Sequence, residues 1–158
     1  MIDEEPLCKH FLFPGTLFAE PYEYLISTVL GSCVAVCLWD TVTRRGGMNH
    51  IMLPLWNGEG LATPKYGNIA MERLLNKMLS IGCRRENLVA KVFGGANVTG
   101  TGLELFMIGD RNITLVMEML GEFKIPVIAK DVGGRVGRKI IMNTESGVVM
   151  VGKGRREG

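Results

Sequence analysis

Two apolar, β-prone runs stand almost back to back in this chain, YLISTVL at residues 24–30 and CVAVCLW at residues 33–39, with only Gly31 and Ser32 between them. Each is too short for an ordinary helix, and the glycine–serine pair interrupts any continuous one, so both read as short buried strands in a layered structure. The same interruptions exclude a membrane span, which needs about 18 or more uninterrupted apolar residues. A chain of 158 residues with 47% hydrophobic content can bury one core, and one domain over residues 1–158 is expected, with 1–12 and 152–158 as loose termini. The opening MIDEEPL is acidic where a secretory signal would be basic, so a soluble, cytoplasmic protein is expected. The scattered cysteines Cys8, Cys33, Cys37 and Cys83 then read as reduced thiols, not disulfide staples.

Taken in order, Pro14-Gly15 forms a turn that feeds a strand at 16–19. The strand at 24–30, the Gly31-Ser32 turn and the strand at 33–39 follow, then turns at Asp40-Thr41 and 44–47, and an apolar run at 48–53 that stops at Pro54. The last two strands pair as a hairpin, with Cys33 at the start of one and His50 inside the other. Residues 56–64 form a loop long enough to wall a cleft. Residues 66–81 place Ala70, Met71, Leu74, Leu75, Met78 and Leu79 at helical spacing before Gly82, an amphipathic helix whose methionines are core filler. A strand at 88–93 precedes a polar, glycine-rich stretch at 97–102. A second helix is expected to open at 109–112, capped by Asp110 or Asn112, and to end before Pro126. Strands at 127–130, 138–143 and 148–151 complete the set of strands, beside two main helices. Their order does not alternate strictly, which indicates an α+β fold with mixed β-sheets and not a doubly wound one.

His50, one of two histidines, lies 17 residues after Cys33. A thiol presented by a tight turn and an imidazole brought beside it by the hairpin form a nucleophile and its base. Main-chain N–H groups around Gly31, Ser32 and Cys33 can hold an oxyanion, because small residues let the backbone approach a substrate. The remaining imidazole nitrogen needs a partner, and Ser27 or Thr28 on the preceding strand can supply a hydroxyl. Since side chains alternate along a strand, only one of the two faces the cleft.

Other constellations are weaker. Cys33 and Cys37 are separated by three residues, with no second close pair, so a metal centre is not expected. On a strand they share a side but lie about 13 Å apart, too far for a disulfide. His10 reads as a solvated bystander in a loose N-terminal arm. The glycine clusters at 94–95, 100–102 and 133–137 lack phosphate-loop spacing and read as turns. A net charge of +2 argues against a dedicated nucleic-acid binder, although residues 130–158 carry seven bases against three acids and could meet an acidic protein surface. Residues 153–158 read as a solvated tail.

The motifs LGSCVAV (30–36), GGMNHIMLP (46–54), KY (65–66), FGGA (93–96), IGDRN (108–112) and DVGG through Arg138 (131–138) occur together and in an order that resembles the CheD family of chemotaxis proteins. The resemblance runs from about residue 14 to residue 151. It implies an α/β sandwich related to the catalytic domain of the cytotoxic necrotizing factors. It also implies a cofactor-free enzyme that deamidates glutamines on the cytoplasmic helical region of methyl-accepting chemoreceptors to glutamate, releasing ammonia. The family's nucleophile falls on Cys33 and its base on His50. Its orienting threonine, six residues before the nucleophile, falls on Ser27, with Thr28 adjacent as the alternative. A CheC-type phosphatase is a further implied partner, and loops 56–65 and 97–102 are the expected receptor contacts. The competing expectations are a regulatory binding protein with minor or no deamidase activity and a hydrolase of small amides.

Overall fold

Hydrophobic residues on alternate positions of two sheets, and on one stripe of each of two helices, sort the chain into three layers. The computed structural model describes the backbone of residues 7–97 and 103–154, and the side chains of all of these but 103–107. The middle layer is a five-stranded sheet in the order β2-β5-β4-β6-β7, made of β2 (Leu17–Ala19), β4 (Val34–Asp40), β5 (Arg45–Asn49), β6 (Leu88–Gly94) and β7 (Val127–Val132). The second sheet has the order β1-β3-β8-β9, from β1 (Cys8–Phe11), β3 (Tyr24–Leu30), β8 (Arg138–Asn143) and β9 (Val149–Lys153). Both sheets mix parallel and antiparallel pairs. Helices α1 (Gly67–Ser80) and α2 (Leu103–Glu122) form the third layer. The architecture is therefore α+β with two helices and mixed sheets.

Strand parity divides the core in two. The even residues of β4, Val34, Val36 and Leu38, pack with Ile51, Ala70, Leu74, Val116 and Leu120 under the helices. The odd residues Ala35 and Cys37 face the other sheet and pack with Ile26, Leu30, Met48, Phe93, Ile140 and Met142. A strand buried on both faces loses the polar–apolar alternation of a half-exposed one, and CVAVCLW reads accordingly. The expected hairpin is present: β4 and β5 pair antiparallel, and Asp40 closes the turn by accepting from the N–H groups of Val42 at 2.8 Å and Thr43 at 2.9 Å.

Several boundaries depart from the sequence expectation. The second helix begins at Leu103, not at 109–112, and Asn112 is no cap: it lies buried inside the helix, its Nδ2 donating to the Met52 carbonyl at 3.3 Å. Gly109 falls within the helix because the backbone of Gly95 packs against it, and a Cβ there would stand 2.9 Å from the Gly95 oxygen. The residues expected as a turn at 45–47 belong to β5, while beyond Asn49 the run continues only as single bridges at Ile51 and Leu53. The N-terminal arm is not loose over residues 8–12. It pairs in parallel with β3, Leu12 is fully buried, and His10 stacks on Phe18 with ring centroids 3.8 Å apart. At the other end, Lys153 closes β9 opposite Arg138 instead of starting a tail. Most of the expected receptor loop at 97–102, and residues 155–158, lie outside the described residues.

Gly94 ends β6 at φ +105°, and a Cβ there would lie 2.2 Å from the carbonyl oxygen of Cys33. Substitution has no room to relax, because the collision is with backbone. Gly94→Ala is expected to cost roughly 3–5 kcal/mol by chemical denaturation. Gly60→Ala, also at positive φ but with nothing within 4 Å, should cost about 1 kcal/mol.

Candidate active site

The site grows out of the hairpin register. The pairing Cys37↔Met48 continues without a slip to the Val34↔Ile51 bridge, closed by two hydrogen bonds, Ile51 N–H to the Val34 carbonyl at 2.7 Å and Val34 N–H to the Ile51 carbonyl at 3.0 Å. Extended by one residue each way, that register sets His50 opposite Ala35 and Met52 opposite Cys33. Cys33, Ala35, His50 and Met52 thus share the face turned to the second sheet, and Cys33 and His50 are diagonal neighbours, with Cβ atoms roughly 7 Å apart or less. Cys33 lies just ahead of β4, half-buried at the rim of the inter-sheet core, and its carbonyl accepts from Gly95 N–H at 2.8 Å. No hydrogen bond among the described residues joins its thiol to the imidazole.

His50 is almost fully buried, 1% exposed, and its ring reaches across to the second sheet. Thr28 Oγ1 stands 2.7 Å from His50 Nδ1 and donates to the carbonyl of Leu12 at 2.8 Å. The hydroxyl at the imidazole is therefore that of Thr28, not Ser27. On β3 the buried residues are Ile26, Thr28 and Leu30, so Ser27 shares the opposite parity with the exposed Val29 and lies on the outer face of its sheet. Because Nδ1 is engaged, Nε2 is the nitrogen left for Cys33.

Burial sets the charge state of the pair. Desolvation pushes the Cys33 thiol up and pulls His50 down to about 4, so at neutral pH both are uncharged. Cys37, on the same face four residues further along the strand, is pushed up to about 12 by burial, against a smaller lowering by Lys91. It is a core residue. Cys33 is the one half-exposed thiol; Cys83 is buried and Cys8 sits on the outer strand.

The main-chain N–H groups of Ser32 and Cys33 donate to no acceptor among the described residues, while the Gly31 carbonyl accepts from Ala96 N–H at 2.9 Å. Sequence reasoning missed three groups around this site. Met52, 38% exposed, stands opposite Cys33 in the extended register, and its Sδ approaches Gly15. Arg138, 3% exposed, bonds Asp131 and the carbonyls of Asp131 and Gly133, holding the glycine-rich turn whose Gly134 carbonyl accepts from Asn97 N–H at 2.9 Å. The Leu12 carbonyl is the third, and no side-chain pattern encodes a main-chain acceptor.

Two measurements check this electrostatic state. Because the folded-state His50 pKa is depressed, the unfolded chain binds more protons in acid. Its contribution is complete above the ordinary imidazole range and is lost as the pH falls toward about 4. Chemical denaturation should lose up to about 3 kcal/mol from this source over that interval, and His50→Gln should flatten the profile. Alkylation of Cys33 by iodoacetamide, mapped by peptide mass spectrometry, should be slow at neutral pH and still climb where an ordinary thiol has levelled off.

Residues 52–153 match the family described as CheD chemotactic sensory transduction. The chain is 63% identical over 155 residues to the probable chemoreceptor glutamine deamidase CheD of Trichlorobacter lovleyi, covering 98% of this chain and 96% of that one. It is 46% identical over 144 residues to the protein of the same name from Sulfurimonas denitrificans, covering 90% and 92%. With the probable chemoreceptor glutamine deamidase CheD 1 of Anaeromyxobacter dehalogenans it shares 44% over 141 residues, covering 89% and 82%. Cys33 and His50 precede the matched family segment, but the first of these relatives spans them. Matched over more than half its length to one family and over nearly all of it to a relative so named, this chain belongs to the CheD family.

Proposed function

We propose that this protein is a chemoreceptor glutamine deamidase, converting receptor glutamines to glutamates with release of ammonia, and that Cys33, His50 and Thr28 carry the reaction. The observation that supports it most is a buried imidazole, tied at Nδ1 to Thr28 and set on the same face as a half-exposed thiol, in a chain whose relatives bear that name.

The chemistry starts from a neutral pair. His50 Nε2 takes the proton of the Cys33 thiol as sulfur attacks the carbon of the glutamine carboxamide, and the oxyanion is held by main-chain N–H groups near Gly31, Ser32 and Cys33. Collapse of the tetrahedral adduct breaks the C–N bond, and the imidazolium gives its proton to the departing ammonia. A water molecule, deprotonated by the same nitrogen, then hydrolyses the thioester, leaving a glutamate carboxyl and restoring the thiol. Each turnover consumes one water and releases one ammonia, and no step calls for a cofactor. Because the thiol is not ionised beforehand, proton transfer accompanies attack, which suits a nucleophile that must ignore adventitious electrophiles until its amide is seated. Met52, across from Cys33, supplies an apolar wall for the two methylenes of the glutamine.

The proposed receptor partner is the cytoplasmic helical region, with residues 56–65 as a candidate contact loop and a CheC-type phosphatase as a second proposed partner. A cytoplasmic location fits such a substrate, and no helix among the described residues is long and apolar enough to cross a membrane. The three-layer arrangement also supports kinship with the catalytic domain of the cytotoxic necrotizing factors, the whole chain acting as one deamidase domain.

Purified protein incubated with receptor cytoplasmic fragments should release ammonia and add about one mass unit at each converted glutamine. His50→Ala should lower kcat by roughly 10²–10⁴-fold and Cys33→Ala should abolish turnover. Ser27→Ala, altering a hydroxyl on the outer face, should leave turnover within about twofold. Full activity in Cys33→Ala would end the assignment.

A further inference from the structure

The segment at residues 12–16 holds His50 from two directions. On the main chain, Gly15 N–H donates to the His50 carbonyl at 2.9 Å and His50 N–H donates to the Thr16 carbonyl at 3.1 Å. The segment is itself closed by Thr16 Oγ1 donating to the Phe13 carbonyl at 2.7 Å. On the ring, Thr28 Oγ1 lies between His50 Nδ1 at 2.7 Å and the Leu12 carbonyl at 2.8 Å, and both contacts are buried. Leu12 is fixed in turn by its N–H, which donates to the Ser27 carbonyl at 2.7 Å, and by a side chain with no exposed surface.

A threonine hydroxyl carries one proton, and a carbonyl carries none. Two oxygens 2.8 Å apart with no hydrogen between them would repel, and the buried Leu12 carbonyl would be left without that donor. The Thr28 proton therefore points at Leu12, and the contact to the ring can be a hydrogen bond only if Nδ1 holds the hydrogen.

We propose that the main-chain carbonyl of Leu12 is a positioning group for the active site: by taking the only proton of Thr28 it obliges that oxygen to accept from His50 Nδ1–H, which leaves the lone pair on Nε2, the nitrogen available to Cys33. The N-terminal strand and the turn after it thus select the tautomer of the base. Leaving a buried carbonyl unpaired in the other tautomer biases the equilibrium by roughly one to two powers of ten. The consequence for turnover rests on the deamidase reading, whereas the tautomer does not.

Only two histidines need assigning, so long-range ¹H–¹⁵N correlation of the imidazole rings at neutral pH reads the tautomer directly. Wild-type protein should show Nδ1 protonated and Nε2 bare at His50. Thr28→Ser should keep that pattern, while Thr28→Val should shift the population toward Nε2–H and lower kcat about 10- to 100-fold with KM little changed. Replacing Phe13 with its α-hydroxy analogue turns the Leu12–Phe13 amide into an ester and weakens the Leu12 carbonyl as an acceptor. That variant should shift the tautomer and kcat in the same direction by a smaller factor. A wild-type spectrum dominated by Nε2–H overturns the proposal, and so does an ester variant indistinguishable from wild type while Thr28→Val shifts. If Thr28→Val or the ester does not fold, the wild-type and Thr28→Ser spectra still decide. Absence of ammonia release from wild type, beside an Nδ1–H spectrum, would count against the deamidase reading and leave the tautomer assignment standing.

Discussion

Everything at this site depends on the parity of one antiparallel ladder. Side chains in a strand alternate, so a shift of a single residue between β4 and β5 would send either Cys33 or His50 to the helical side. The unbroken register from Cys37↔Met48 to Val34↔Ile51 prevents that slip, and the apolar demands of two different cores enforce it. Val34, Val36 and Leu38 fit under the helices while Ala35 and Cys37 fit between the sheets. A slipped hairpin would exchange the two sets against surfaces of different shape. Core packing and the placement of the thiol and imidazole are here a single requirement.

Most side chains packed between the sheets are apolar, and burial among them both depresses the basicity of His50 and strengthens its ring contact with Thr28. Withdrawn from water, the imidazole is kept neutral and can accept a proton only when a developing negative charge is close by. A buried ring with a free torsion would also be a poor base. Thr28, contributed by the other sheet, turns the stacking of two sheets into control over the orientation of a single ring.

Much of this was legible in the residues. Short apolar runs with turns between them gave the strands, three- and four-residue spacing gave α1, and a thiol at a glycine turn with a histidine in the next hairpin strand singled out Cys33 and His50. What stayed hidden has physical causes. The strand YLISTVL is apolar at even and odd positions alike, so nothing in it says whether Ser27 or Thr28 turns inward; that follows from pairing with β1 and β8, far away in sequence. Gly109 looked like a helix boundary because glycine is a poor helix former, yet it sits mid-helix to admit the backbone of Gly95. The strand at residues 8–11 carries the polar Lys9 and His10 and pairs at a sheet edge, where burial leaves a weak imprint on sequence.

The second sheet has a further implication for how the protein comes into being. Its order, β1-β3-β8-β9, seats Thr28 on a strand whose other neighbour, β8, is synthesised more than a hundred residues later. A growing chain can close the β4–β5 hairpin early, since that contact is local, but the wall against which His50 rests is finished only when residues 138–153 leave the ribosome. Half-made chains would therefore carry Cys33 as an ordinary solvated thiol, without the burial that raises its pKa and without an oriented base beside it.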